Sequence, residues 1–192
     1  PQIDLLVNDD TYSIASLLPF INKIYTFSYK KKSNGRWFQE KEIFKQLFRK
    51  YDLSINLTSS DRSVIYALIA GKKTISVVAK DIKKSWWKKL FLTHYYYYDS
   101  TQHILTQNLT PLNLLWIPHI ITQKSIEIKQ EAFVRIKDKL RKNNIQSFII
   151  FHPSAQYEYK IFPKHARDSL INLLNKLGIA VIISGSGNLI DT

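Results

Sequence analysis

Short apolar runs alternate with amphipathic stretches along nearly the whole chain. Ile3 to Val7, Lys23 to Phe27, Leu53 to Leu57, Thr74 to Val78, Phe148 to Phe151 and Ile179 to Ile183 read as strands. The last two are continuous apolar runs of the kind that parallel sheets bury on both faces. Between the strands lie helical patterns. Tyr12 to Leu18 is a short one, ended near Pro19. Residues 39–50 set Ile43, Phe44, Leu47 and Phe48 on one face. Asp61 caps a helix that runs to Ala70 and stops at Gly71. A helix covers about residues 100–115, and Ser125 to Asn143 carries Ile126, Phe133, Ile136 and Leu140 inward. Pro163 opens the last helix in the first turn. Its stripe is Ala166, Leu170, Leu173, Leu174 and Leu177, and Gly178 stops it at the C′ position. Strand and helix in alternation predict an α/β fold with parallel sheets. The break at Trp116-Ile117-Pro118 divides the series. We expect one domain over residues 1–117, a linker over 118–124 and a second domain over 125–192, with a parallel sheet on each side.

Residues 148–187 form one strand–helix–strand unit, and its loops fall at the carboxyl ends of both strands, where open α/β sheets bind ligands. The first loop offers donors at Ser154 and Gln156 and a positive charge at Lys160, just before a helix N-terminus. These features suit an anion. The second, Ser184-Gly185-Ser186-Gly187, lets a flat group approach the backbone. Phosphate at one and a nucleoside at the other would make a nucleoside-diphosphate site. Spacing alone leaves a plainer reading open, in which Lys160 is a solvated surface lysine.

Composition narrows the partners. The 192 residues are 45% hydrophobic, enough to bury a core. No apolar run approaches the ~18 residues of a membrane span. With no Cys there are no disulfides or thiolate metal sites, and the five His residues show no metal-ligand spacing. There is no phosphate-binding P-loop, dinucleotide fingerprint or zinc-protease motif. The net charge of +13 points to nucleic acid, an anionic membrane face or phosphorylated substrates. The charge is clustered, first in the loop Ser28 to Arg36, where Asn34-Gly35 marks a turn, and on to Lys50. It gathers again at Lys80, Lys83, Lys84, Lys88 and Lys89. The second cluster interleaves with Trp86, Trp87, Phe91 and Tyr95 to Tyr98. That aromatic run reads as the core of an irregular cap, as a membrane-facing surface or as a platform for bases. The chain has no Met and opens at Pro1, so we read it as an internal fragment.

Two stretches resemble glycosyltransferase family 9, the ADP-heptose:lipopolysaccharide heptosyltransferases and their relatives. His152 to Leu174, followed by Val181 to Gly187, is similar to the start of the family's C-terminal domain. Lys160-Ile161-Phe162-Pro163 stands in the place of Lys-x-Trp-Pro, with Phe for Trp, and Ser154 stands where Gly is usual. Tyr51 to Ser63, followed by Leu68 to Lys72, resembles a strand and helix of the N-terminal domain, in the family's order and at about its separation. The resemblance implies a GT-B-like α/β fold of two Rossmann-like domains facing a cleft, both incomplete here. It implies inverting, metal-independent transfer of heptose or a related sugar from an ADP-sugar onto lipopolysaccharide inner core, with no cofactor besides the donor. Ser154, Gln156 and Lys160 would hold the donor diphosphate, and Ser184, Gly185, Ser186 and Gly187 the nucleoside side. Lys30, Lys31, Lys32, Arg36 and Arg62 would meet the acidic acceptor. The family's base, an Asp in a Gly-Asp loop, would lie before Pro1, and its acidic nucleotide-site motif after Thr192. Asp9 and Asp10 are more simply turn or cap residues. The implied location is the cytoplasmic face of the inner membrane, on its anionic surface, without nucleic acid as a partner. The alternative is a basic α/β nucleic-acid-binding protein. It accounts for the charge and the aromatic run but not for the paired loops at 152–160 and 184–187.

Overall fold

The computed structural model describes residues 2–31, 33–118, 126–155 and 158–185. The expected linker, residues 118–124, lies outside them except for Pro118. The chain divides into two units, residues 1–127 and 128–192.

The first unit holds two parallel sheets. β1 (Asp4–Asn8) pairs with β2 (Lys23–Phe27) across the short helix α1 (Tyr12–Ala15). α2 (Ser33–Leu47) leads to β3 (Tyr51–Asn56), α3 (Asp61–Ala70), β4 (Gly71–Val78), α4 (Ile82–Phe91) and β5 (His94–Tyr97). β3, β4 and β5 are neighbours in that order, all parallel. α5 (Ile104–Leu114) follows. α3 serves two clusters. Tyr66 and Ala70 pack with Tyr25, Ile43 and Leu47. Val64 packs with Val78 and Leu92, supported by Leu68 and Trp87.

Several expectations change. The Tyr run is neither irregular nor core. His94 to Tyr97 is the edge strand of the sheet, because Ile75 to Val78 offer a parallel ladder beside it. The basic loop is shorter than read, since α2 already starts at Ser33. Gln39 explains this. It is buried, accepts from the Ser28 N–H at 2.8 Å and donates to the Ser28 carbonyl at 3.2 Å, so it ties the helix to the end of β2. Ser60, not Asp61, is the cap of α3, accepting from the Ser63 N–H at 3.3 Å. Gly71 is no left-handed stop. Its φ is −100° and it begins β4 directly. A Cβ there would lie 2.5 Å from both Lys73 O and Ser54 Oγ, so it is the close approach of β3 that calls for glycine.

Polar groups line the β3–β4 ladder. Ser54 stands opposite Thr74, and Asn56 opposite Ser76. Ser54 donates to Ala67 O at 2.7 Å and lies 3.1 Å from Thr74 Oγ1, while Asn56 donates to Ser76 Oγ at 2.8 Å. Thr74 and Ser76 are buried, and these contacts satisfy them.

The second unit is a strand–helix–strand unit with a helix before it. α6 (Gln130–Lys142) precedes β6 (Phe148–Phe151), which pairs in parallel with β7 (Ala180–Ile183) across α7 (Lys164–Lys176). Pro163 is the residue before α7 rather than inside its first turn. Gly178 has φ +71°. The Gly178 N–H bonds Asn175 O and the Ile179 N–H bonds Leu174 O, each at 3.0 Å. That is the expected stop, in Schellman geometry. The strands were read as buried, yet Phe148, Ile149 and Ile150 are exposed, as are Phe133 and Ile136 of α6. Periodicity fixed these elements. Burial needs an opposing layer, and the described residues place none over those faces.

Candidate functional site

The residues singled out for chemistry gather at carboxyl ends of strands. In the first unit the loop after β1 carries Asp9 and Asp10, and the loop after β2 carries Ser28 to Lys31. Lys30 Nζ lies 2.6 Å from Asp10 Oδ1, and that contact raises the Lys30 pKa above its ordinary value. A hydrogen bond from Ser28 holds the Asp9 carboxyl below the usual range. Lys31 is exposed. Lys32 lies outside the described residues.

Arg36 and Arg62 were expected to meet the acceptor, and the structure brings them to one carboxylate. Arg36 sits in the first turns of α2 with Nε 4.0 Å from Glu40 Oε1, and Arg62 sits in the first turn of α3 with Nη2 2.8 Å from the same oxygen. The Arg62 guanidinium also lies 4.9 Å, 5.3 Å and 5.4 Å from the ring centres of Phe27, Tyr29 and Tyr66. Its Nε donates to the Tyr66 hydroxyl at 2.8 Å, and that hydroxyl donates to Glu40. Burial pushes the Tyr66 phenol up to about 12, and its bond to Glu40 adds to the shift. Arg62 is thus a planar cation held over aromatic faces and tied to an anion, a rigid arrangement. Sequence reasoning missed Glu40 as the residue that gathers the others. The i,i+4 spacing of Arg36 and Glu40 was the signal available.

In the second unit the loops after β6 and β7 meet through His152. Its Nδ1 is 3.0 Å from Ser184 Oγ, and its Nε2 is 3.5 Å from Ser154 Oγ. These contacts give His152 a hydrogen-bonded structural role at the end of β6. The Phe162 N–H donates to Pro153 O at 3.1 Å, and its ring meets Phe151 edge-on at 5.8 Å. These contacts close the first loop and lead the chain into α7. No side chain caps that helix, and no acid stands in its first turn. Lys160 ends a 3-10 turn, Glu158 to Lys160, with Nζ 5.5 Å from the Tyr159 ring centre. Gly185 is exposed beside Ser184. Gln156, Ser186 and Gly187 lie outside the described residues. Among the described residues no three His, Asp or Glu side chains cluster as metal ligands.

Known proteins extend this geometry. No protein-family model matches the chain. Lipopolysaccharide heptosyltransferase 3 of Escherichia coli is 25% identical over 187 residues, covering 95% of this chain and 54% of that protein. The protein of the same name from strain K12 is also 25% identical, over 189 residues. The chain therefore spans about half the length of the curated relatives it matches. The chain is similar to the heptosyltransferases of glycosyltransferase family 9. Solved structures agree on the fold. A glycosyl transferase family 9 protein from Veillonella parvula matches with a TM-score of 0.77 at 18% identity, over 97% of this chain and 54% of that one. The E. coli heptosyltransferase WaaC, solved with ADP, matches with a TM-score of 0.70 at 16% identity, over 98% of this chain and 60% of that one. The fold is the GT-B-type α/β fold of family 9, with parallel sheets.

Proposed function

We propose that the complete protein is a glycosyltransferase that moves heptose or a related sugar from an ADP-sugar onto lipopolysaccharide inner core, with inversion. The observation that carries this is the likeness to heptosyltransferase 3 across 95% of the chain. The site chemistry supports it. Departure of a nucleoside diphosphate builds negative charge, and preorganised positive groups stabilise that charge. Lys160 and the uncapped N-terminus of α7 would supply them, with Ser154 and Gln156 assigned as further donors. Ser184, Gly185, Ser186 and Gly187 would take the nucleoside side. The donor is a substrate, and the proposal calls for no cofactor and no metal.

The acceptor of such a reaction carries acidic sugars and phosphates. Lys30, Lys31, Lys32, Arg36 and Arg62 are the cations assigned to it, with Arg62 fixed in place by Glu40 and three aromatic rings. The reaction also needs a carboxylate to take the acceptor's proton. Asp9 and Asp10 are already engaged with Ser28 and Lys30, so neither is assigned that role. The work would be done at the cytoplasmic face of the inner membrane, where a lipid-borne acceptor meets a soluble nucleotide sugar. No described helix is long and apolar enough to cross a membrane.

The test uses the full-length protein with ADP-heptose and truncated lipopolysaccharide core, with ADP release as the readout. Saturable ADP binding and acceptor-dependent release are expected. No ADP binding, together with steeply salt-dependent binding of polynucleotide, would replace this reading with the nucleic-acid one.

A further inference from the structure

Apart from Trp87, which packs partly against the Val64 cluster, helix α4 is built inside out. Its buried positions are Ser85 and Lys88, both almost wholly enclosed. Ser85 donates to Asp81 O at 2.7 Å, and Lys88 Nζ reaches Ser59 O at 2.6 Å and Asp61 Oδ1 at 2.7 Å. The outward positions are Ile82, Trp86 and Leu90, each more than 60% exposed. They are spaced i, i+4, i+8, so they form one stripe about 12 Å long. An ordinary surface helix shows the opposite pattern. Exposed apolar area of this kind is costly in water and marks a contact surface.

Charge decides which contact. At 100° per residue, Lys83 falls on one side of the stripe and Lys89 on the other, with Lys84 beyond Lys83. Lys89 also continues the surface onto β5. Its Nζ lies 3.0 Å from the Tyr97 hydroxyl and over the Tyr95 and Tyr97 rings. An apolar stripe with Trp at its centre and lysines along both borders fits the headgroup boundary of an anionic bilayer. The long lysine stems can lie along the apolar surface while the ammonium groups reach the headgroups. Nucleic acid fits less well. Ile82 and Leu90 have no π-face for a base, and Tyr95 and Tyr97 meet edge-on at 79° instead of lying as an open platform.

We propose that the outer face of α4, with the adjoining tyrosines of β5, is a docking surface for an anionic lipid bilayer. The helix lies in the interface plane, with Ile82, Trp86 and Leu90 entering the headgroup boundary. The proposal does not rest on sugar transfer, and its test contains no lipopolysaccharide.

The full-length protein is sedimented with vesicles of phosphatidylcholine alone and of phosphatidylcholine with an equal part of phosphatidylglycerol. Binding to the anionic vesicles and little to the neutral ones is expected. Trp86→Ser with Leu90→Ser should remove most of it, and Lys83→Gln and Lys84→Gln should each weaken it about fivefold. All four positions are exposed, and circular dichroism verifies folding. The proposal is overturned by unchanged vesicle binding in the Trp86/Leu90 variant, or by equal binding to neutral vesicles. It is overturned as well if the intact surface self-associates or binds polyuridylate in place of vesicles and the same variants abolish that.

Discussion

The Lys88 ammonium lies 2.7 Å from the Asp61 carboxylate, on a lysine that is almost wholly buried. The pair ties α4 to the first residue of α3, and the bond from Lys88 to Ser59 O adds the loop between β3 and α3. A buried cation is tolerated only when partnered, and removing it strands the partners. Lys88→Ala should therefore cost about 3 kcal/mol of unfolding free energy in urea titrations. Lys84→Ala, three-quarters exposed, should stay within about 0.5 kcal/mol. Equal losses in the two variants would show that the buried contacts are energetically idle.

The two glycines that end helices should fail for different reasons. Gly71→Ala places a methyl group 2.5 Å from a backbone oxygen and should cost about 2 kcal/mol or more by overpacking. Gly178→Ala meets nothing within 4 Å but must adopt φ +71°, a conformational cost of about 1 kcal/mol. A thermal scan of each variant measures both. Asparagine, which tolerates the left-handed region, should restore stability at 178 and not at 71.

Acid should expose the contribution of Asp4. A hydrogen bond from Tyr51 at 2.5 Å, and then one from Asn22, hold its carboxyl below the usual range, with Lys50 and Lys23 assisting. The folded pKa is lowered, so the stabilisation is complete above the unfolded value of about 3.9. It disappears as pH falls through the folded value. Unfolding free energy measured from pH 6 downward should drop less steeply in Asp4→Asn than in the parent chain. A steeper drop would place the shift elsewhere.

How much could be read in advance depended on which interactions were local. β2 and β6 have the bounds that their apolar runs predict, and the Gly178 stop follows from a residue type that the left-handed turn demands. The start of α2 did not follow, because the contact that fixes it joins Gln39 to Ser28 across a loop rich in turn-forming residues. Lys88 looked like its neighbours in a charged run, and only Ser59 and Asp61, 29 and 27 residues earlier, set it apart. The same holds for the candidate site. Lys160 and Ser154 were singled out by their order around Phe162-Pro163 alone, whereas the gathering of Arg36 and Arg62 on Glu40 needed two helices side by side.

If the proposed transfer is right, Lys160→Ala in the full-length protein should lower turnover roughly a hundredfold. Thermal stability should hardly change, since an exposed lysine contributes little to folding. Steady-state rates of ADP release decide it, and near-normal turnover would return Lys160 to the role of a surface residue.

Neutralising Lys30, Lys31 and Lys32 together should raise the KM for the lipopolysaccharide acceptor and leave that for the nucleotide sugar unchanged. An effect confined to the donor KM would reverse the assignment of the two sides.

The hydroxyl and amide groups between β3 and β4 bear on how the chain finds this arrangement. A slide of one residue would exchange the faces of a strand. A slide of two would keep the faces and bring Asn56 opposite Val78, or in the other direction Ser54 opposite Lys72. Apolar packing alone discriminates weakly against that second error. Asn56 opposes the slide that brings it to Val78, because its amide would lose Ser76 and face the Val78 side chain. The polar ladder thus acts as a proofreading step in strand alignment, and Asn56→Val should refold with a slow phase of misaligned molecules that the parent chain lacks.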